Sequence, residues 1–339
     1  MQTQSKQLVM RCLNQEDLAA WNALTQAPKS GCFMQSSIWA DFKELEGYQT
    51  FRYGVFNQER LVGGCIFYFY PRPHAANLLI APGAPIILPG FEVEVMPLIL
   101  EKAAELGKKV GAIALRIEPL ISGKPSYLRD FVRAPVDLMP SETLLIDLRP
   151  TTAEILASMK PKGRYNVKLS QRHQVKTQFT TDAQSIPTFY DIFWETVKRQ
   201  KFFGETYKFF INLCQTLFAA DIAEVAFAHW QGEVLAAVLV VYWGDRATYL
   251  YGGRSTNYPH VMANYALHWA AMQRAKSKGC HFYDFYGFTR SPQHSYAKFS
   301  QFKGQFGGRF VSTIGAHDHF FYDQLADTMI QLWQQMQNR

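Results

Sequence analysis

One lysine stands where chemistry could be done. Lys303 lies in Phe299-Ser-Gln-Phe302-Lys303-Gly-Gln-Phe306-Gly307, a single cation among aromatic residues and glycines. A cation in such a loop can meet a developing oxyanion or a ribose; in the plainer reading it is a surface lysine in a glycine turn. Tyr207, Tyr249 and Tyr251 offer rings for stacking and hydroxyls for sugar or phosphate, although tyrosines in strands also serve as core. Trp39 and Lys43 are four residues apart and share a helical face, which a core tryptophan with a solvated lysine beside it would also explain. Arg164, Lys168 and Arg172 recur every four residues within 150–176, the most basic stretch of the chain. Such a run is either a solvated face or a surface for phosphates.

Other chemistries lack their residues. No Walker loop, Gly-x-Ser-x-Gly or His-Glu-x-x-His occurs. His317-Asp-His319 and His281 with Asp284 are too thin for a metal site, so neither metal nor cofactor is expected. Without a nucleophile motif, the expectation is direct transfer between two bound substrates, driven by positioning and electrostatics. The 35 Lys and Arg against 28 Asp and Glu give a net charge of +7, which favours a polyanionic partner without requiring one. Five cysteines with no Cys-x-x-Cys pair fit a reducing compartment rather than a disulfide framework. The first residues lack a signal-peptide run, and no later apolar run nears the ~20 residues of a membrane span. A soluble, cytoplasmic protein is expected, meeting any membrane-borne substrate from the cytoplasmic face.

Elements must position these residues. Apolar alternation predicts a hairpin over 51–70, an extended Leu78–Leu88 segment at a sheet edge or bulge because of Pro82, Gly83 and Pro85, a helix from Val93 stopped by Gly107, and a strand at 111–118. The same plan returns about 170 residues later. A hairpin at 225–242 precedes Tyr249-Leu-Tyr-Gly-Gly, a helix over 261–277 and a strand at 281–286. Hairpin, strand, helix, strand is the order of the GNAT acyltransferase fold. The predicted class is therefore α/β with mixed sheets, in two tandem GNAT-like domains. These are 1–150 and 151–317, with a C-terminal helix over about 318–339 that packs back on the first. Neither copy carries the Gln/Arg-x-x-Gly-x-Gly/Ala loop that would cradle a coenzyme A pyrophosphate, so acetyl-CoA is not the expected donor.

Gln35-Ser-Ser-Ile-Trp39 with Lys43, Ala81-Pro-Gly-Ala-Pro85, the basic segment around Arg164, Tyr283-Asp-Phe-Tyr-Gly287 and Phe302-Lys-Gly-Gln-Phe-Gly307 occur in that order. Together they resemble the Fem (FemABX) family of peptidyltransferases, which move an amino acid from aminoacyl-tRNA onto the stem peptide of a peptidoglycan precursor. The resemblance implies that Lys43 and Arg199 take the precursor's phosphates; Trp39, Tyr207, Tyr249 and Tyr251 stand beside them as candidates for substrate binding read from the residues themselves. It implies Phe302 and Lys303 at the aminoacyl-tRNA end; the basic face of Arg164, Lys168 and Arg172 is then the candidate for the tRNA phosphates. The partners would be aminoacyl-tRNA and a lipid-linked or UDP-linked muropeptide. Two other readings stay open: a GNAT-like transferase drawing on an acyl-carrier thioester, and a non-catalytic RNA- or precursor-binding protein.

Overall fold

The computed structural model describes residues 8–27, 31–71, 76–294 and 296–322. The first part of the chain forms β1 (Leu8–Cys12), α1 (Leu18–Thr25), α2 (Ser37–Leu45), β2 (Gln49–Asn57), β3 (Arg60–Phe69), β4 (Leu78–Pro82), β5 (Ile86–Ile87), α3 (Glu92–Val110), β6 (Ala114–Glu118) and β7 (Val132–Arg133). Then come β8 (Glu142–Asp147), α4 (Thr152–Ser158), α5 (Pro161–Arg172), β9 (Lys176–Thr180), α6 (Ile186–Gln200), α7 (Tyr207–Ala219), β10 (Ala223–Trp230), β11 (Glu233–Trp243) and β12 (Arg246–Arg254). α8 (Ala263–Ser277), β13 (Phe282–Asp284), α9 (Ala297–Lys303), β14 (Arg309–Ser312) and β15 (His317–Phe320) complete the described chain.

The chain divides into two units. Residues up to Ser141 group with those from Thr313 on, and Glu142–Ser312 form the second unit. The first sheet runs β1-β2-β3-β4-β6-β15-β7, with β5 on β3; the second runs β14-β8-β13-β12-β11-β10-β9. Each contains an antiparallel hairpin, β2–β3 or β10–β11, followed by a parallel crossover, β4-α3-β6 or β12-α8-β13. The repeat legible in the sequence is thus a repeat of topology. At the β10–β11 turn Gln231 and Gly232 both take positive φ, the geometry that suits a two-residue hairpin.

Three expectations need correction. The segment 142–147 was expected in the first domain, but β8 pairs with β13 and β14 of the second sheet, while β15 pairs with β6 and β7 of the first. The boundaries therefore fall at 141/142 and 312/313, and 318–320 is strand rather than helix; residues 323–339 lie outside the described chain. Secondly, β4 is interior, between β3 and β6, with Pro82 at its last position where the missing N–H breaks no ladder. Thirdly, α3 runs on past Gly107 to Gly111, whose left-handed φ of 72° ends it. Gly107 is instead a contact residue, since a Cβ there would collide with the Phe321 ring.

Each crossover helix lies on its sheet by apolar burial. α3 buries Val95, Ile99, Ala103 and Leu106, a stripe of helical period, against β3, β4 and β6. α8 buries neighbouring positions, Leu267, His268, Trp269, Ala271 and Met272, because α5 packs on it as well as the second sheet. α5 also comes close to the turn after α9 because its residue 163 is glycine: a Cβ there would strike the Gln305 carbonyl. The Lys160 N–H, at the start of α5, donates to that same carbonyl at 3.1 Å.

Candidate functional site

In the second unit β12 and β13 pair from Arg246–Phe282 to Thr248–Asp284 and then part, although β12 continues to Arg254. Where a parallel pair opens, backbone groups lose their ladder partners and must find others. Tyr286 and Gly287 turn the chain here, with φ of 43° and 86°. A left-handed tyrosine is strained, and the Asp284 carboxylate holds it by accepting from the Tyr286 N–H at 2.9 Å. Asp284 is buried and also accepts from Thr143 Oγ1 at 2.5 Å and Arg246 Nη1 at 3.1 Å, so the turn stands on a paired carboxylate.

Lys303 fills the opening. Its side chain is 8% exposed, and Nζ donates to the carbonyls of Phe285 (2.8 Å), Tyr286 (3.0 Å) and Gly287 (2.6 Å). Three acceptors for three N–H groups describe an ammonium, while burial pulls its pKa down to about 7 against the pull of Asp284. The Tyr249 ring lies beneath, 5.4 Å from Nζ. Lys303 is therefore not a surface lysine in a glycine turn. Nor is it poised to reach an oxyanion or ribose directly, because all three donors are committed to the loop that it holds.

Around this cation the packing is aromatic. The ring of His268 sits 4.7 Å from Tyr249, 5.2 Å from Phe285, 5.5 Å from Phe302 and 5.6 Å from Phe306, and its Nδ1 is 2.9 Å from the Tyr283 hydroxyl. Burial, then the neighbouring ammonium, drives its pKa to about 3, so the imidazole stays neutral. Burial likewise raises the Tyr249 hydroxyl to about 12. Sequence reasoning missed His268. A histidine inside a helix buried on two sides leaves no periodic signal, and Tyr283, though within a motif, gains its role only from strand register.

Phe302 carries the site outward. It lines a pocket of about 200 Å³ with Arg254, Asn257, Tyr258, Asn264 and Tyr265. Its neighbours Gln301 on α9 and Gly304 just after it line a second cleft of about 420 Å³ that also holds Lys160, Arg290 and Lys298. One apolar pocket and one basic cleft thus share the helix that bears Lys303.

The other expected residues are placed as follows. Tyr249 and Tyr251 do not share a face, although alternation predicts it. A bulge in the β11–β12 register at Leu239/Val240 inserts Leu250 between them. Tyr249 consequently packs on His268, while Tyr251 packs 5.1 Å from Phe210 beside α6 and α7. Arg199 donates to the Arg254 carbonyl at 3.1 Å and to Thr196 Oγ1 at 3.0 Å, and its Nε is buried without a partner. Burial and the Arg254 cation lower its pKa. Arg254 has no carboxylate partner among the described residues, but Glu195 lies 3.9 Å from Arg199 Nη1 and offsets part of the positive charge of this corner. Tyr207, at the start of α7, is half-exposed with its ring 5.1 Å from Tyr190.

On α5, Lys168 and Arg172 are exposed, whereas Arg164 is half-buried and turns its Nη1 back to donate to the Ala157 carbonyl at 3.0 Å and to that of Met159, capping the end of α4. In the first unit Ser36 Oγ caps α2 by accepting from the Trp39 N–H at 3.0 Å. Trp39 itself is buried edge-on between Phe33 and Phe42, and Lys43 Nζ lies 3.9 Å over the Tyr48 ring. Among the described residues no cluster of three His, Cys, Asp or Glu could hold a metal, and Asp318 is committed to Arg116 at 2.7 Å.

The two units make a tandem GNAT-like architecture. A family model described as an acetyltransferase (GNAT) domain matches residues 162–298, within the second unit. The crystal structure of FemX superposes with a TM-score of 0.85 at 17% identity, covering 95% of this chain and 99% of FemX. A tandem GNAT protein from the clavulanic acid biosynthesis pathway gives a TM-score of 0.56 at 12% identity, covering 93% of this chain and 99% of that one. In sequence, the lipid II:glycine glycyltransferase of Staphylococcus saprophyticus is 19% identical over 88% of this chain and 91% of its own length. These matches bear out the resemblance to the Fem family that the motifs carry.

Proposed function

We propose that the chain is an aminoacyltransferase that moves an amino acid from aminoacyl-tRNA to the stem-peptide amine of a peptidoglycan precursor. One observation carries this reading. The second unit's parallel strands open where the first unit's do not, and the residues filling that opening, Phe302 and Lys303, are those that the Fem resemblance puts at the donor end.

The chemistry needs few protein groups. An aminoacyl ester is already activated: the acceptor amine adds to the ester carbonyl, and the tetrahedral intermediate expels the terminal ribose oxygen of the tRNA. No nucleotide hydrolysis is required. The amine must be neutral to attack. Since His268 is buried and neutral with its Nδ1 engaged by Tyr283, the proton leaves to solvent or to the departing ribose oxygen. Lys303 acts as a positioning residue, fixing the 285–287 loop and through it the face that Phe302 presents to the pocket. Exposed Lys168 and Arg172, with the cleft of Lys160, Arg290 and Lys298, supply cations for tRNA phosphates. Within the second unit Arg199 is the candidate for the precursor's phosphates, with Tyr207, Tyr249 and Tyr251 as candidates for shaping the substrate site; within the first unit the candidates are Lys43 and Trp39. The protein would act in the cytoplasm; no helix among the described residues is long and apolar enough to cross a membrane.

The test is a donor comparison. Charged tRNA, the same tRNA after ribonuclease, and an acyl thioester are each offered with a UDP-linked muropeptide, and the product is read by mass spectrometry. Product from intact charged tRNA alone is expected. Product from the thioester, or tight tRNA binding with no product, would overturn the reading.

A further inference from the structure

The turn between α6 and α7 has properties that the transfer site does not use. Phe203 is 87% exposed, and Phe202 and Tyr207 beside it are 37% and 38% exposed. This turn is held rather than loose. Lys201 ends α6 in the left-handed conformation, and Gly204 tucks so closely under α6 that a Cβ would lie 2.7 Å from the Trp194 ring and 2.8 Å from Val197. Phe202 packs edge-on against Phe193 and against Phe299 of α9. With the chain anchored on both sides, Phe203 is directed outward by the backbone.

Cations lie close to it along the chain. Lys198, Lys201 and Lys208 are exposed, as are Lys298 and Tyr296 near Phe299. None of these four lysines forms an ion pair with a carboxylate among the described residues. Across 196–220 the only acid is Glu205, against Lys198, Arg199, Lys201 and Lys208. An outward phenylalanine flanked in sequence by exposed lysines does not suit a protein partner, because lysine is depleted at protein–protein interfaces. It suits an anionic bilayer surface, where aromatic rings enter the headgroup region and lysines lie against the phosphates.

We propose that the α6–α7 turn is a membrane-docking tip: Phe203, flanked by Phe202, enters the headgroup region of a bilayer rich in anionic lipid, while Lys198, Lys201 and Lys208 rest on its phosphates. Phe299 lies one helical turn before Phe302 on α9, so docking through this face would hold the proposed transfer pocket near the membrane surface and near a lipid-linked acceptor. The docking itself does not depend on the donor or acceptor assigned above.

The test uses the full chain and vesicles without any peptidoglycan precursor, so its failure is separable from failure of the transferase reading. Sedimentation with phosphatidylglycerol-containing vesicles should carry the protein down. Vesicles of phosphatidylcholine alone should not, and high salt should weaken the binding. Phe203→Ser should reduce partitioning by about tenfold, the scale of one aromatic side chain lost from the interface. The pair Lys201→Glu and Lys208→Glu should abolish the preference for anionic lipid. In Phe203→Trp the emission should shift to the blue on vesicle addition and be quenched by brominated lipid. Turnover of Phe203→Ser on a soluble UDP-linked acceptor should stay at the wild-type level. Absent vesicle binding, equal binding by Phe203→Ser, or lost turnover on the soluble acceptor would each overturn the proposal.

Discussion

The two units share a topology and meet the same difficulty in different places. In the first, the parallel pair β4–β6 stays joined from Leu78–Ala114 to Pro82–Glu118, and the strands that part are β3 and β4, which pair only at Tyr68–Ile80 and Phe69–Leu79. The gap is bridged by Gln35. Its amide nitrogen donates to the carbonyls of Ile66 and Pro82, both at 3.1 Å, and its oxygen accepts from the Ile66 N–H at 2.8 Å. In the second unit the β12–β13 pair opens, and a cation closes it. A fully buried neutral amide satisfies the backbone and leaves nothing over. A buried ammonium satisfies it while placing a charge, an aromatic cluster and a pocket together. The lesson is that one fold can turn the same backbone deficit into either a seal or a site, according to which side chain fills it.

That contrast can be broken experimentally, starting with the seal. Gln35→Leu leaves a buried N–H and two buried carbonyls without partners, and at roughly 1–3 kcal/mol for each orphan the protein should lose about 3 kcal/mol or more, read from the urea midpoint. Wild-type stability in this variant would remove Gln35 from its bridging role. Gly163→Ala should be next. Its Cβ meets the Gln305 carbonyl, so a loss of about 1–3 kcal/mol is expected, with faster amide exchange around α9.

The units should also respond oppositely to pH. His268 is held at about 3, below its ordinary value of 6.5, so the stability gained by keeping it neutral is complete above about 6.5 and lost as pH falls towards 3. Glu118 of the first unit is pushed by burial to about 7 from 4.5, so its contribution is complete below about 4.5 and lost as pH rises through 7. Each group can add a slope of up to about 1.4 kcal/mol per pH unit within its window. Hydrogen exchange at pH 5 and pH 8 should show the His268 region looser at the lower pH and the Glu118 region looser at the higher. A common trend in both would contradict the assignment. The smallest effects belong to the tRNA surface. Neutralising Lys168 or Arg172 should lower the salt slope of tRNA binding by about 0.7–0.9 each, whereas Arg164→Gln, being a cap, should change stability more than that slope.

Local signals made much of this legible. Alternation and turn residues gave the hairpins, helical period gave the crossovers, and the 170-residue repeat gave the tandem architecture. The aromatic loop around Lys303 was also readable. What could not be read was pairing at a distance. β8 and β15 each close a sheet that local sequence cannot identify, which is why the boundary fell near 150 instead of 141. The bulge at Leu250 set Tyr249 and Tyr251 on opposite faces, and Arg164 was drawn off its basic stripe by the bare carbonyls of α4. For Lys303 the aromatic neighbours were visible, but the three carbonyls it holds belong to residues 16–18 positions earlier and become acceptors only because β12 and β13 part.

The central claim is that the cation filling this opening sets up the transfer. The direct measurement is turnover of Lys303→Met with charged tRNA and precursor, alongside circular dichroism to confirm folding. A fall in kcat of about 10² or more is expected, with KM for the precursor little changed, as for a residue that positions the reacting groups. Turnover within about twofold of wild type in a folded Lys303→Met protein would contradict the account.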